Sequence, residues 1–369
     1  MASVLPFKKE PAHTHGQPTF TGVLLCNLGT PDAPTATAVG RYLREFLSDP
    51  RVVEIPRLVW LPLLYGIILP FRSGKSASKY RTIWTEAGSP LLVHTARQAH
   101  LLEQQLLAWG HSVRVRHAMR YGNPSMASQL DALRAEGADR ILILPAYPQF
   151  SATTTASVFD AVAHWGERTR HLPELRFINR YHDDAAYIEA LAAGIEAHWQ
   201  DHGRSDHLVM SFHGVPERTL HLGDPYHCEC HKTGRLLAQR LGLPTAAYTV
   251  SFQSRFGKAK WLEPYTEPTL QALARRGVTR VDVACPGFTS DCLETLEEIA
   301  MEGREAFLAA GGQQYHAIPC LNASGPWVDA MAALVVRHTA GWPTREGEYP
   351  GPLDRAASRE TALAMGAKD

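Results

Sequence analysis

Short apolar or β-branched runs alternate along this chain with stretches whose apolar residues recur at helical spacing. The runs predict strands at 22–28, 112–119, 140–146, 175–180, 207–213, 246–252, 280–286 and 313–319. The stretches between them predict helices near 35–48, 76–85, 90–109, 125–136, 154–166, 185–200, 226–241, 266–276, 291–310 and 325–339. Apolar strands separated by helices form parallel sheets covered on both faces. Four strands fall on each side of residue 170, so the expected fold is α/β, with two doubly wound lobes. Each lobe holds a roughly four-stranded parallel sheet flanked by helices. The lobes are expected at 20–170 and 171–340, between a flexible segment at 1–19 and a flexible Pro- and Gly-rich tail at 341–369.

Ligands in open α/β sheets sit at the carboxyl ends of the strands, which directs attention to the residues there. After the strand at 280–286, Glu294, Glu298 and Glu302 recur at i, i+4 and i+8 on a predicted helix capped by Ser290 or Asp291. That spacing stacks three carboxylates on one face, opposite Leu293, Leu296, Ala300 and Phe307. No Lys or Arg lies between them on that face, so the ladder suits holding or passing a divalent cation. A solvated acidic helix face has the same pattern. His213 ends the strand at 207–213, immediately before Gly214, where an imidazole would meet a ligand or serve the core.

Aromatic and hydroxyl residues cluster at other strand ends: Arg120 and Tyr121, then Tyr147 to Ser151, then Trp261 in the loop after 246–252. Gly29, in the turn after the first strand, permits a close backbone approach. That turn lacks both GxGxxG and GxxxxGK[ST], so it signals neither dinucleotide nor nucleoside triphosphate binding. The run His227-Cys228-Glu229-Cys230-His231 carries metal-ligating residue types, but not at a structural zinc spacing.

Composition narrows the classes. Lys plus Arg and Asp plus Glu both number 37, which argues against a nucleic-acid partner. Six irregularly spaced cysteines in 369 residues form no disulfide framework, and Met1 to Gln17 lacks the apolar core of a signal peptide. A cytoplasmic location is expected. The stretch 52–71 is read as an apolar lip. Within it Leu58 to Phe71 holds no charged residue, yet it is too short to span a bilayer and is interrupted by Pro62 and Pro70. It is a buried helix with a loop, or a surface for a membrane or a large flat ligand. Arg72, Lys75 and Tyr80 follow it directly.

His213-Gly214, Gln253-Ser254, Trp261-Leu262-x-Pro264 and Ser290-Asp291-x-x-Glu294-Thr295-Leu296, in that order, make the chain resemble the ferrochelatases from about Val23 to Val336. The resemblance implies two Rossmann-like halves enclosing a porphyrin cleft. It also implies insertion of ferrous iron into protoporphyrin IX, the last step of protohaem synthesis. The family's metal-site histidine and glutamate fall on His213 and Glu294, and its acidic ladder continues on Glu298 and Glu302. Its porphyrin-contacting groups fall on Arg72, Arg120, Tyr121, Tyr147, Ser151 and Trp261, with Tyr80 near the mouth. The lip matches the edge through which porphyrin enters. A peripheral membrane contact and a transient contact with the preceding enzyme of haem synthesis are implied as well.

Two positions depart from the family. Cys292 stands where many members have histidine. Ala152 stands in the segment that supplies a cluster-ligating cysteine in the animal enzymes, and no cysteine follows Cys320. An iron–sulfur cluster of that kind is therefore not expected, nor is any permanently bound cofactor. On the chemistry alone, His213 takes the two pyrrole protons, or His213 and Glu294 first hold the iron while Glu298 and Glu302 carry protons away. Rival readings are a chelatase for coproporphyrin or cobalt, and a non-catalytic haem or metal carrier.

Overall fold

The computed structural model describes residues 7–12, 14–255, 257 and 259–368. Eight strands form two four-stranded sheets in which every neighbouring pair is parallel. The first holds β1 (Phe20–Thr30), β2 (Arg114–Gly122), β3 (Ala138–Pro145) and β4 (Glu174–Phe177), in the order β2-β1-β3-β4. The second holds β5 (His207–His213), β6 (Tyr248–Gln253), β7 (Arg280–Ala284) and β8 (Gln314–Ala317), in the order β6-β5-β7-β8. The two orders are equivalent. In each lobe the chain winds outward once and then crosses back, so a crevice opens at the carboxyl ends of β1 and β3, and of β5 and β7.

Alternate residues of the strands enter different cores, as the period of two requires. In the first lobe Leu24, Cys26, Ile141 and Ile143 pack outward under the helices Met126–Ala135 and Thr155–Gly166. Val23, Leu25, Leu142 and Leu144 face the other way, into a core shared with Leu208, Met210 and Phe212 of the second sheet. The helices Pro90–Ala108, Ala185–His202 and Gly325–His338 fill that shared core. Polar ties cross the same boundary: Gln98 Nε2 donates to the carbonyls of Thr289 at 2.8 Å and Asn322 at 2.7 Å, and the Thr289 hydroxyl donates to the Ala146 carbonyl at 3.2 Å.

Gly29 makes the close approach expected of it. Its φ is +119°, and a Cβ there would lie 1.8 Å from the Tyr121 carbonyl oxygen of the neighbouring strand. No L-residue with a side chain fits that position.

Four expectations need correction. The strand expected at 112–119 runs to Gly122, so Arg120 and Tyr121 belong to β2 itself. The run Leu58 to Phe71 is helical throughout, not a helix with a loop. Residues Arg57–Leu63 and Leu69–Ile83 are α-helical, and Leu64–Ile68 between them forms a π-turn in which the Leu69 N–H reaches the Leu64 carbonyl. Pro62 and Pro70, which each lack an N–H, lie on either side of that turn.

The described part of the tail is held in place. Trp342 is buried, the Thr21 hydroxyl donates to the Pro343 carbonyl at 2.7 Å, and the Tyr349 hydroxyl accepts from the Thr21 N–H at 2.9 Å. A helix, Pro352–Ala364, follows, with Pro at its start, where the missing N–H costs nothing. The described part of the first segment is held too. Lys8 pairs with Asp131, and Glu10 pairs with Arg134 and accepts the Arg170 N–H. Residues 1–6 and 13 of that segment lie outside the described residues. No helix among the described residues is long and apolar enough to cross a membrane.

Candidate active site

His213 closes β5, where the backbone turns at Gly214. The Gly214 N–H donates to the Gln253 carbonyl at 2.7 Å, and a Cβ on Gly214 would meet that oxygen at 2.7 Å and the Trp261 ring at 3.2 Å. The imidazole Nδ1 lies 2.6 Å from the carbonyl of Gly214, a partner that can only accept. In the neutral ring Nδ1 therefore carries the proton, and Nε2 keeps the lone pair. Trp261 packs behind this turn, its Nε1 buried without a hydrogen-bond partner. The sequence placed the histidine correctly at the edge of the sheet. Its tautomer follows from the local turn.

Facing it after β7 is the acidic helix, and its form differs from expectation. Residues Glu294–Gly303 are π-helical, with α-helix resuming at Arg304–Ala309. Two carbonyls of the widened stretch accept side-chain donors: Glu294 from Gln253 Nε2 at 2.9 Å, and Ile299 from the Tyr315 hydroxyl at 2.6 Å. Gly303 lets the Tyr315 ring approach, since a Cβ there would lie 2.8 Å from its hydroxyl. The face turned to the core is Thr295, Ile299, Gly303 and Phe307, not Ala300, while Leu293 and Leu296 pack against the lip helices. Neither expected cap accepts from a helix N–H. The Ser290 hydroxyl is buried without a partner, and Asp291 binds the Thr295 hydroxyl and the Asn322 amide.

The carboxylates pass from inside to outside. Glu298 is held by Ser254, which donates its N–H at 2.6 Å and its hydroxyl to the two carboxylate oxygens. Burial pushes the Glu298 carboxyl above the usual carboxylate range, as does Glu294, against the pull of Ser254 and of the His213 ring when that ring is protonated. Glu302 is half exposed and shares Lys79 with Glu297, at 2.8 and 2.9 Å. A cation does therefore relieve the ladder at its outer end, supplied by the lip helix and invisible from the spacing of the glutamates.

Glu294 belongs to a cluster with residues after the lip. Burial pulls the Arg72 guanidinium down and Glu294 pulls it back up. The phenols of Tyr80 and Tyr42 are raised by burial first, with Glu294 adding to both. Tyr80 is buried beside this carboxylate, not at a mouth.

The other expected contacts lie in separate groups. Arg120 donates from Nη2 to Asp49 at 2.6 Å and from Nε to Ser157, and its guanidinium stacks 4.5 Å above the Tyr121 ring. Tyr121 is fully buried and donates to Asp49 at 2.8 Å. Tyr147 lies close to both, its hydroxyl buried without a partner. Ser151 is buried at the seam between the lobes, donating to Asp224 at 3.1 Å. A cavity of about 760 Å³ opens beside Tyr42, Tyr65, Asp49 and Arg120 and includes neither His213 nor Glu294.

The His227–His231 run gathers no ligand set: Cys228 is exposed, Cys230 is buried, and the two imidazoles lie against Phe252. Sequence reasoning missed Ser254, Glu297, Lys79 and Asp49. Their roles depend on contacts 44 to 223 positions away in the chain, from Ser254 with Glu298 to Lys79 with Glu302. Only Ser254 left a local trace, in the Gln253-Ser254 pair at a strand end.

The chain is similar to known proteins along nearly its whole length. A family model described as Ferrochelatase matches residues 20–339. A ferrochelatase of Polaromonas sp. is 63% identical over 370 residues, covering 98% of this chain and 100% of that one. A ferrochelatase of Methylibium petroleiphilum is 63% identical over 354 residues, covering 96% and 98%. Among solved structures, the cobalt complex of the sirohydrochlorin chelatase from Bacillus subtilis subspecies spizizenii covers 88% of this chain and 97% of its own. It is 12% identical with a TM-score of 0.49, too distant to inform the site.

Proposed function

The chain belongs to the ferrochelatase family, and we propose that it is a lyase inserting Fe²⁺ into protoporphyrin IX to give protohaem. The observation that carries the mechanism is the His213 tautomer: a proton fixed on Nδ1 and a free Nε2 lone pair, facing the acidic π-helix. Insertion exchanges two pyrrole protons for one ferrous ion with no change of oxidation state. It needs ligands and bases, and no resident cofactor.

His213 Nε2 takes the pyrrole protons one at a time, passing the first on before it accepts the second, a task suited to neutral imidazole near neutral pH. Glu294 meets the iron from the opposite side, where Arg72 and the buried phenols of Tyr42 and Tyr80 set its surroundings. Glu298, raised by burial and tied to Ser254, accepts protons from the site, and Glu302 with Lys79 passes them to solvent. Trp261 and Tyr147 wall the ring, while Arg72 orients a propionate; Ser151, buried and bonded to Asp224, steadies the seam behind it. Arg120, with Nε and Nη2 committed to Ser157 and Asp49, stiffens the wall formed by Tyr121.

The exposed lip residues Leu58, Val59, Ile67 and Phe71 form the entrance, where the protein meets a membrane surface or the enzyme that delivers porphyrin. The location that follows is cytoplasmic, at the inner membrane face.

The test is anaerobic turnover with Fe²⁺ and protoporphyrin IX, followed by loss of free-porphyrin absorbance. His213→Ala and Glu294→Gln should nearly abolish turnover while leaving porphyrin binding. Near-normal turnover in His213→Ala would refute its role as base and as ligand, and tight binding without turnover in the wild type would make the protein a carrier.

A further inference from the structure

A second cluster of metal-ligating side chains lies in the second lobe, away from the crevice. Asp282, in the middle of β7, is fully buried and pairs in register with His316 of β8. It is level with Leu208 on β5, five residues before His213, which places it about 16 Å down the sheet from the active-site edge. The helix Ala185–His202 brings His198 over the same carboxylate.

The hydrogen bonds in this cluster leave it incomplete. Asp282 Oδ2 accepts from Trp199 Nε1 at 2.7 Å, and Oδ1 lies 3.2 Å from His316 Nδ1. His198 Nε2 stands 3.8 Å from the same oxygen, too far for a hydrogen bond. That nitrogen has no partner at all, although the His198 side chain is only 10% exposed. One ligand atom from each of the three residues lies within 4.8 Å of the others. His202, one turn beyond His198, stacks 4.4 Å from its ring and 5.3 Å from that of His316. The nearby Arg280 donates to the Gly203 carbonyl, not to Asp282.

We propose that His198, Asp282 and His316 form a structural site for a borderline divalent cation of the Zn²⁺ class, with His202 or water as the fourth ligand. Two imidazoles and one carboxylate favour Zn²⁺, Co²⁺ or Ni²⁺ over Mg²⁺ or Ca²⁺. Metal–ligand distances near 2.1 Å put tetrahedral ligand atoms roughly 3.4 Å apart, a closure within reach of small rotations of the two rings. Trp199 would hold the carboxylate in orientation, as outer-shell donors do. The bound ion would pin the end of the Ala185–His202 helix to β7 and β8 and satisfy the orphaned imidazole.

Metal-free full-length protein titrated with Co²⁺ alone tests this, read by the visible absorption of four-coordinate cobalt and by the melting temperature with added Zn²⁺. His213→Ala, measured alongside, separates this site from the active site. The wild type and His213→Ala should both show the cobalt bands and a melting temperature raised by Zn²⁺. His198→Ala with His316→Ala should lose both, while Trp199→Phe should weaken Co²⁺ binding about 10- to 100-fold. If the double variant does not fold, His316→Asn, which keeps an amide donor toward Asp282, replaces it, with iron-insertion turnover as the check on folding. Bands that persist without these histidines, or disappear with His213→Ala alone, would overturn the site. So would the absence of any band or melting shift in the wild type.

Discussion

Ser254 holds both oxygens of Glu298 from a backbone conformation that few residues other than glycine adopt, with φ at +64°. Its N–H and hydroxyl converge on one carboxylate, and the strained turn immediately after β6 aims them. Strain of this kind persists where the surrounding structure over-determines it, and such places are often functional.

Removing the hydroxyl should therefore alter proton transfer more than folding. A hydrogen bond to a charged acceptor contributes about 1.5–3 kcal/mol, and without it the already raised Glu298 carboxyl rises further. In Ser254→Ala and Ser254→Gly, the acidic limb of the turnover profile should move to higher pH, because the carboxylate must be ionised to accept a proton. Glycine relieves the φ strain and alanine does not, so a shift common to both would belong to the hydroxyl. An unmoved limb in both variants would remove Glu298 from the proton path.

The same carboxyl makes stability depend on pH. Burial raises the folded pKa of Glu298 above its ordinary value of 4.5, so the folded state keeps the proton to higher pH than the unfolded chain does. The associated stability is present below that ordinary value and lost as pH climbs through the folded pKa. Urea unfolding at several values from about pH 4 to about pH 8 should show this decline. Glu298→Gln should flatten it in part, since Glu297 is raised as well, and should be more stable than the wild type at neutral pH while losing activity. A variant with an unchanged slope would show that Glu298 is not protonated preferentially in the fold.

Gly29→Ala places a methyl group 1.8 Å from the Tyr121 carbonyl at φ +119°. Forcing β1 and β2 apart at their carboxyl ends should cost at least about 3 kcal/mol in denaturant unfolding, by strain and lost packing around Tyr121. A loss under about 1 kcal/mol would mean that the end of the strand pair relaxes without the close approach.

Charge on the lip should separate surface from fold. Leu58 is 93% exposed and Phe71 74% exposed, so Leu58→Glu with Phe71→Glu should change stability by no more than about 0.5 kcal/mol per site. Sedimentation with lipid vesicles should fall, along with uptake of porphyrin presented in them. Unchanged sedimentation would leave the lip as a porphyrin entrance alone.

Much of this architecture was legible in the chain. The eight strands and their grouping by fours followed from apolar runs, because a parallel sheet covered on both faces writes itself in continuous hydrophobicity. The position of His213 at the end of β5 was legible because strand ends are short and positionally strict. The π-form of 294–303 was not found, since a widened turn uses the same residues as an α-helix and depends on Gln253 and Tyr315 arriving from other strands. Lys79 escaped for a similar reason: its partners lie 218 and 223 residues away. The helical run at 57–83 was obscured by its two prolines, which ordinarily break a helix and here flank a π-turn. The tail composition suggested disorder, and one buried tryptophan and a tyrosine hydroxyl outweighed it.

The core that joins the sheets determines how this protein can move. Val23 and Leu142 of one lobe and Leu208 and Met210 of the other belong to a single packed body, filled by three helices that serve both sides. A clamshell motion would have to tear that body open, so the two halves cannot clap shut on a flat guest as hinged proteins do. Admission and release must instead be the business of the rim, and the rim carries the two irregular turns, at 64–68 and 294–303. The frame is rigid and the gatework local, so changes in those turns should alter how fast product leaves without altering how the two halves hold together.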